Sequence, residues 1–203
     1  MHMPKIVDHE KRKQLIAEAT WSVISKQGIH LASSRTIAKE AGLSQGALRH
    51  YFSKQEDLLL FAMDLVKQKL IARLKQLDEK NLPPVEKAIE FLLEFLPTNQ
   101  QTLIETEVWF AFVTFGKTQT GFNTDYEGLQ KAIKDTIIFL KQEGQLKDIE
   151  ESIEQEKLYA FINGLAVNLY IEPDKIDREA SRRLVVDYLN NILLEKIDTS
   201  KEK

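Results

Sequence analysis

Three observations predict an all-α fold. The chain has only 8 Gly and 5 Pro in 203 residues, so helix breakers are few. Apolar residues recur at intervals of three and four along most of its length. No apolar–polar alternation runs long enough for a strand. Composition sets further bounds. Hydrophobic residues are 43% and charged residues 29%, as in ordinary globular chains, which excludes disorder as the whole answer. Cys is absent, which removes disulfides, thiolate metal sites and Cys nucleophiles and suits a reducing cytoplasm. No apolar run approaches the ~18–20 residues of a membrane span, and no signal-peptide block opens the chain.

The elements follow in order. Residues 8–27 read as a first helix, with Ile16, Ala19, Val23 and Ile24 at helical spacing and Gly28 closing it. Ser33 or Ser34 caps a short helix, Arg35–Ala41, with Ile37, Ala38 and Ala41 inward. Gly42 ends it and Leu43 turns in. Ser44 then caps Gln45–Phe52, with Leu48 and Phe52 on one face. Two short helices joined through a Gly fit a helix-turn-helix. A long helix runs from Glu56 to about Glu79, and Pro83-Pro84 start the next, about Val85–Leu96. Residues 99–115 form a helix dense in aromatics. Gly116–Asn123 is the best loop. Tyr126–Gln142, Ile149–Ile171 and a last helix from Asp177 to about Lys196 complete the chain, with Thr199–Lys203 frayed.

Charge divides the chain. Residues 1–55 carry nine Lys/Arg against four Asp/Glu, net +5, whereas 56–203 carry nineteen against twenty-seven, net −8. A basic module on an acidic body is what local polyanion binding needs. In a helix-turn-helix the second helix enters the major groove of double-stranded DNA, leading with its N-terminal residues. Ser44, Gln45 and Gly46 lie there. A Gln can pair with adenine, Ala47 can meet a thymine methyl, and Gly46 lets backbone approach closely. Arg49, His50, Tyr51 and Lys54 supply cationic or hydroxyl groups for phosphates or bases. Ser33, Ser34 and Arg35 sit at a helix N-terminus, which favours phosphate. The plainer alternative is a solvated polar face over a Leu48–Phe52 core.

The string IAEATWSVISKQGIHLASSRTIAKEAGLSQGALRHYFSKQEDLL, which runs to Leu59, is the match by which residues 8–58 resemble the N-terminal domain of TetR-family transcriptional regulators. The LRHYF variant and the later NGLAVNLYIEP are similar to the BetI-like branch. The resemblance implies an all-helical homodimer that represses transcription until a small-molecule effector binds its C-terminal domain. It also implies two domains, helix-turn-helix over 1–55 and ligand binding with dimerisation over 56–203. The chain departs from the family pattern twice. Arg49 stands where many members have an aromatic, and Gln55 stands where a Lys is usual, so that phosphate contact comes from Lys54 or is lost.

The larger part is rich in aromatics, most of which read as core. The sharper reading is an apolar pocket with a few placed polar groups. Phe91, Phe95, Phe112 and Phe139 give apolar walls. Trp109, Tyr159 and Asn163 offer polar handles, and Glu105 or Glu107 can meet a cationic ligand. The branch similarity makes a quaternary ammonium one candidate. On the plainer reading both acids face solvent. Leu158, Ile162, Leu165 and Leu169, with Val185, Leu189 and Ile192, make more apolar surface than one face needs, which suggests a dimer interface. The alternative is that other helices of the same chain cover it. An enzyme fares poorly. There is no P-loop, no G-x-S-x-G and no His beyond residue 50, and no catalytic residue, cofactor or metal is expected. A helical carrier of apolar molecules is the remaining alternative, though it leaves the basic module unexplained.

Overall fold

The computed structural model describes residues 9–118, 127–173 and 177–197. Among them are nine α-helices, a short 3-10 turn and one isolated antiparallel bridge. They divide into two compact units. The first holds the described residues up to Lys69 and those from Glu107 to 118. The second holds Leu70–Thr106 and the described residues from 127 onward.

In the first unit α1 spans His9–Gln27, α2 Ser34–Glu40 and α3 Gln45–Tyr51. The long α4, Gln55–Asp78, begins here and ends in the second unit. Ile16, Val23 and Ile24 of α1, Ile37 and Ala38 of α2, and Leu48 of α3 are buried, so each helix hides the apolar face that its spacing defines. Trp21 donates its indole N–H to the Ala62 carbonyl at 3.0 Å, tying α1 to α4. The turn between α2 and α3 rests on Gly42, whose φ of +65° only glycine adopts without strain. The Leu43 N–H returns to the Ala38 carbonyl at 2.8 Å and the Gly42 N–H to Lys39, closing the end of α2.

In the second unit α5 spans Pro84–Leu93, α7 Glu127–Gln142, α8 Glu151–Ile171 and α9 Arg178–Asn190. The start of α6, Gln100–Thr118, also belongs here. One core joins Ile89, Leu92 and Leu93 of α5, Ile133 and Ile137 of α7, Leu158 and Ile162 of α8, and Val185 and Leu189 of α9. Asn99 caps α6 reciprocally: its side chain accepts from the Thr102 N–H at 3.0 Å and its own N–H donates to Thr102 Oγ1 at 3.1 Å.

Several boundaries differ from expectation. A short 3-10 turn, Ile29–Leu31, precedes α2. Helix α5 loosens into turns after Leu93, because Pro97 disfavours helical backbone just before it. Helix α6 passes through Gly116 to Thr118; the rest of the expected loop, 119–123, lies outside the described residues. Helix α9 ends at Asn190, short of Lys196. There the chain straightens and pairs, with Lys147 N–H donating to Ile192 and Leu194 N–H to Gln145, both at 2.9 Å.

Candidate DNA-reading surface and ligand cavity

Helix α3 is anchored on one face and open on the other. Leu48 and, just past the helix, Phe52 are buried. Gln45, Gly46, Arg49 and His50 are exposed, while Ala47 and Tyr51 are half-buried. Ser44 caps the helix, its hydroxyl accepting from the Ala47 N–H at 3.1 Å. Ser33 does the same for α2, accepting from the Thr36 N–H at 3.2 Å. Each cap contributes about 1 kcal/mol to its short helix. Both Ser oxygens therefore have a structural task. Ser34 is half-buried in the first turn of α2, and Arg35 and Lys54 are exposed.

Two residues outside the expected reading set shape this surface. His9 of α1 lies against Tyr51, with ring centroids 4.7 Å apart, and 5.8 Å from the His50 ring. Gln55 donates through Nε2 to the Ala32 carbonyl at 2.9 Å, fixing the start of α4 to the approach of α2. Neither partner is close in sequence, so no periodicity signals either contact.

The expected pocket residues fall into two groups. Phe91, Phe95, Glu105, Phe139, Tyr159 and Asn163 belong to the second unit, Trp109 and Phe112 to the first. Phe91 and Phe139 line a cavity of about 420 Å³ formed by the end of α4, α5 and α7. Ile71, Leu74, Leu77 and Ala88 complete its apolar wall. Phe95 packs on the Phe91 ring, centroids 5.5 Å apart, and Phe95 and Tyr159 both border the core of this unit. Asn163 is half-buried on α8. In the first unit Trp109 is half-buried and Phe112 buried.

Glu105 does not face solvent. It is 6% exposed and accepts two hydrogen bonds from Arg73, at 3.0 and 2.9 Å. The same guanidinium reaches Glu94 at 2.7 Å. Burial alone would lower the Arg73 pKa; the two carboxylates outweigh it and raise it, holding the charge in place. Glu107 is half-buried, and its Oε2 is buried with no hydrogen-bond partner among the described residues. The plainer expectation of a solvent-facing Glu105 is thus corrected, and its protein partner was not legible in the sequence, because Arg73 lies 32 positions away.

The seven residues expected at a dimer interface are covered within the single chain. Leu158, Ile162, Leu165, Leu169, Val185, Leu189 and Ile192 are 0–6% exposed and join the core of the second unit. This corrects the reading of them as a free face: α5 and α7 pack on these helices and supply the cover that periodicity could not show. The uncharged apolar or small residues that α8 and α9 leave exposed include Ile153, Ala160, Gly164, Tyr170, Ile171 and Leu184. A side chain built at Gly164 would meet nothing within 4 Å.

Among the described residues no helix is long and apolar enough to cross a membrane, and no three His, Asp or Glu side chains gather as metal ligands would. Comparison with known proteins places these features in context. Residues 16–61 match the family model of tetR bacterial regulatory proteins, and residues 84–194 match that of BetI-type transcriptional repressors, C-terminal domain. The chain is 43% identical over 195 residues to the HTH-type transcriptional regulator PksA of Bacillus subtilis, covering 95% of each. It is 28% identical over 200 residues to the regulator BetI of Vibrio campbellii, covering 94% of this chain and 96% of that one. Among solved structures, a transcriptional regulator of Rhodococcus sp. shares the fold with a TM-score of 0.76 at 24% identity, over 89% of this chain and 95% of the other. A regulator of Saccharomonospora viridis, in complex with choline, has a TM-score of 0.76 at 22% identity, over 92% and 100%.

Proposed function

The chain belongs to the tetR family of bacterial transcriptional regulators, with a BetI-type C-terminal domain, and on that premise we propose that it is a repressor released from its operator by a small molecule. Helix α3 enters the major groove. The observation that carries this is the division of α3 into a locked face, Leu48 with the adjoining Phe52, and an open one, Gln45, Gly46, Arg49 and His50. Gln45 at the leading end reads a base edge; Arg49, His50, Tyr51 and Lys54 hold phosphates. Arg35 and the N-terminus of α2, with Ser33 and Ser34, brace the backbone beside it.

One α3 per chain reads one half-site, so a homodimer spans two successive major grooves. We place its interface on the outer faces of α8 and α9, at Gly164 and Leu184, over the buried stripe that gives these helices their shape. A helical Gly costs about 1 kcal/mol against Ala, and nothing among the described residues requires one at 164. Close approach by a second copy accounts for it. Division of labour near residue 55 follows, with reading before it and effector binding and dimerisation after. The continuous α4 then couples them: a ligand that shifts its far end moves the reading head that precedes it.

Selection of bound duplexes from a random pool tests the function. Enrichment of one two-fold-symmetric site is expected. Recovery of unenriched sequence, with equal affinity for every duplex, contradicts it.

A further inference from the structure

The cavity at the end of α4 has a charge pattern that selects among ligands. Helix α4 presents Ile71, Leu74, Lys75 and Asp78, one face of its last two turns. Helix α5 adds Lys87, Ala88 and Phe91, and α7 adds Asp135, Thr136 and Phe139. At about 420 Å³ the space lies within the ~300–1,000 Å³ of small-molecule sites. Its interior is apolar. The one hydroxyl there, Thr136 Oγ1, already donates to the Ala132 carbonyl at 2.8 Å. Ile71 stands at the mouth, 51% exposed.

The polar groups at this cavity are not equivalent. Asp78 is ion-paired with Lys87, and Asp135 with Lys131. Both acids are thus neutralised by lysines of the same chain. The side-chain ammonium of Lys75, by contrast, has no hydrogen bond or ion pair among the described residues. A cationic ligand would find no unpaired carboxylate here and one unpaired ammonium. An anionic head finds that ammonium directly, while its apolar body enters the slot.

We propose that this cavity binds an amphiphile with an apolar chain or ring body and a single carboxylate, its head paired with Lys75. This rests on reading the C-terminal part as the effector-binding part, and it deepens that reading by naming the ligand class. The proposal sets this chain apart from its choline-bound structural neighbour, whose ligand carries the opposite charge.

Calorimetric titration of the full chain, without DNA, tests it with three probes of one chain length: decanoate, decan-1-ol and decyltrimethylammonium. Decanoate is expected to bind tightest, and about threefold to fivefold tighter than decan-1-ol, as an exposed ion pair allows. The ammonium probe is expected to bind weakest. Lys75→Glu, at an exposed position, should weaken decanoate about tenfold and reverse the order of the two charged probes. Ile71→Asp should weaken decan-1-ol as well. Tighter or equal binding of the ammonium probe overturns the proposal. So does decanoate binding that neither variant changes, or no binding by any probe. Operator release by some other compound, with decanoate ignored, overturns this inference and leaves the proposed function standing. Decanoate binding through Lys75 with no effect on operator affinity does the reverse.

Discussion

At the scale of single residues, one glycine and one arginine make distinct demands. Gly46 lies in the first turn of α3, and a side chain there would meet only the Ser44 Oγ, at 4.0 Å. Its own fold gains from alanine, by up to about 1 kcal/mol. Gly46→Ala is therefore expected to keep or raise the melting temperature while weakening operator binding at least several-fold, since the added methyl stands where the proposed reading brings backbone against DNA. Unchanged operator affinity would remove the close approach at Gly46. Arg73 makes a different demand. It holds Glu94 and the nearly buried Glu105, and both carboxylates lose their partner when it goes. Arg73→Ala should cost about 1–3 kcal/mol in chemical denaturation, below the range for a fully buried pair because Arg73 keeps some solvent. Glu105→Gln should cost less, because it leaves no unpaired charge in the cluster.

At the scale of elements, α1 and α2 are clasped by Glu40, which accepts from the Ser22 hydroxyl at 2.6 Å and from Lys26 at 3.1 Å. The Ser22 hydrogen bond and then Lys26 hold this carboxyl below its ordinary value of 4.5. Since the folded value lies below the unfolded one, the clasp stabilises above about pH 4.5 and is lost as pH falls through the folded value. Ser22→Ala should move the Glu40 titration upward, read by NMR of its side-chain carboxyl. The helices themselves were legible from spacing and caps: Ser33, Ser44 and Asp177 all cap as their positions suggest. The end of α9 was not, because no Gly or Pro marks Asn191 and the halt comes from pairing with residues 145–147, over 40 positions away. The open face of α3 was legible for the same reason as the helices, since a short amphipathic helix with Leu48 buried, and Phe52 buried just past its end, has only one face left. The pocket was half legible. Phe91 and Phe139 were expected, but Ile71, Leu74 and Lys75 read only as one stripe of a long helix until α5 and α7 closed over them. The stripe on α8 and α9 misled, because periodicity counts apolar residues without telling which helix covers them.

At the scale of the whole molecule, the account requires a dimer whose two reading helices are set by helices remote from them. Gly164→Arg and Leu184→Glu change exposed positions and should leave the monomer folded. Sedimentation is expected to show monomers for either variant and dimers for the parent at micromolar concentration. A parent that sediments as a monomer with full operator affinity would end the two-fold account. An effector that prefers the released arrangement by ~1–3 kcal/mol weakens DNA binding about 5–150-fold, and operator must then weaken effector binding by the same factor. All of this depends on α3 reading sequence. The most direct measurement compares the affinities of the parent and Gln45→Ala for the selected operator and for a scrambled duplex of equal composition, at one salt concentration. The account predicts that the parent's preference falls by ~1–3 kcal/mol in the variant, nearly all of it as lost operator affinity. Equal losses on both duplexes would contradict it.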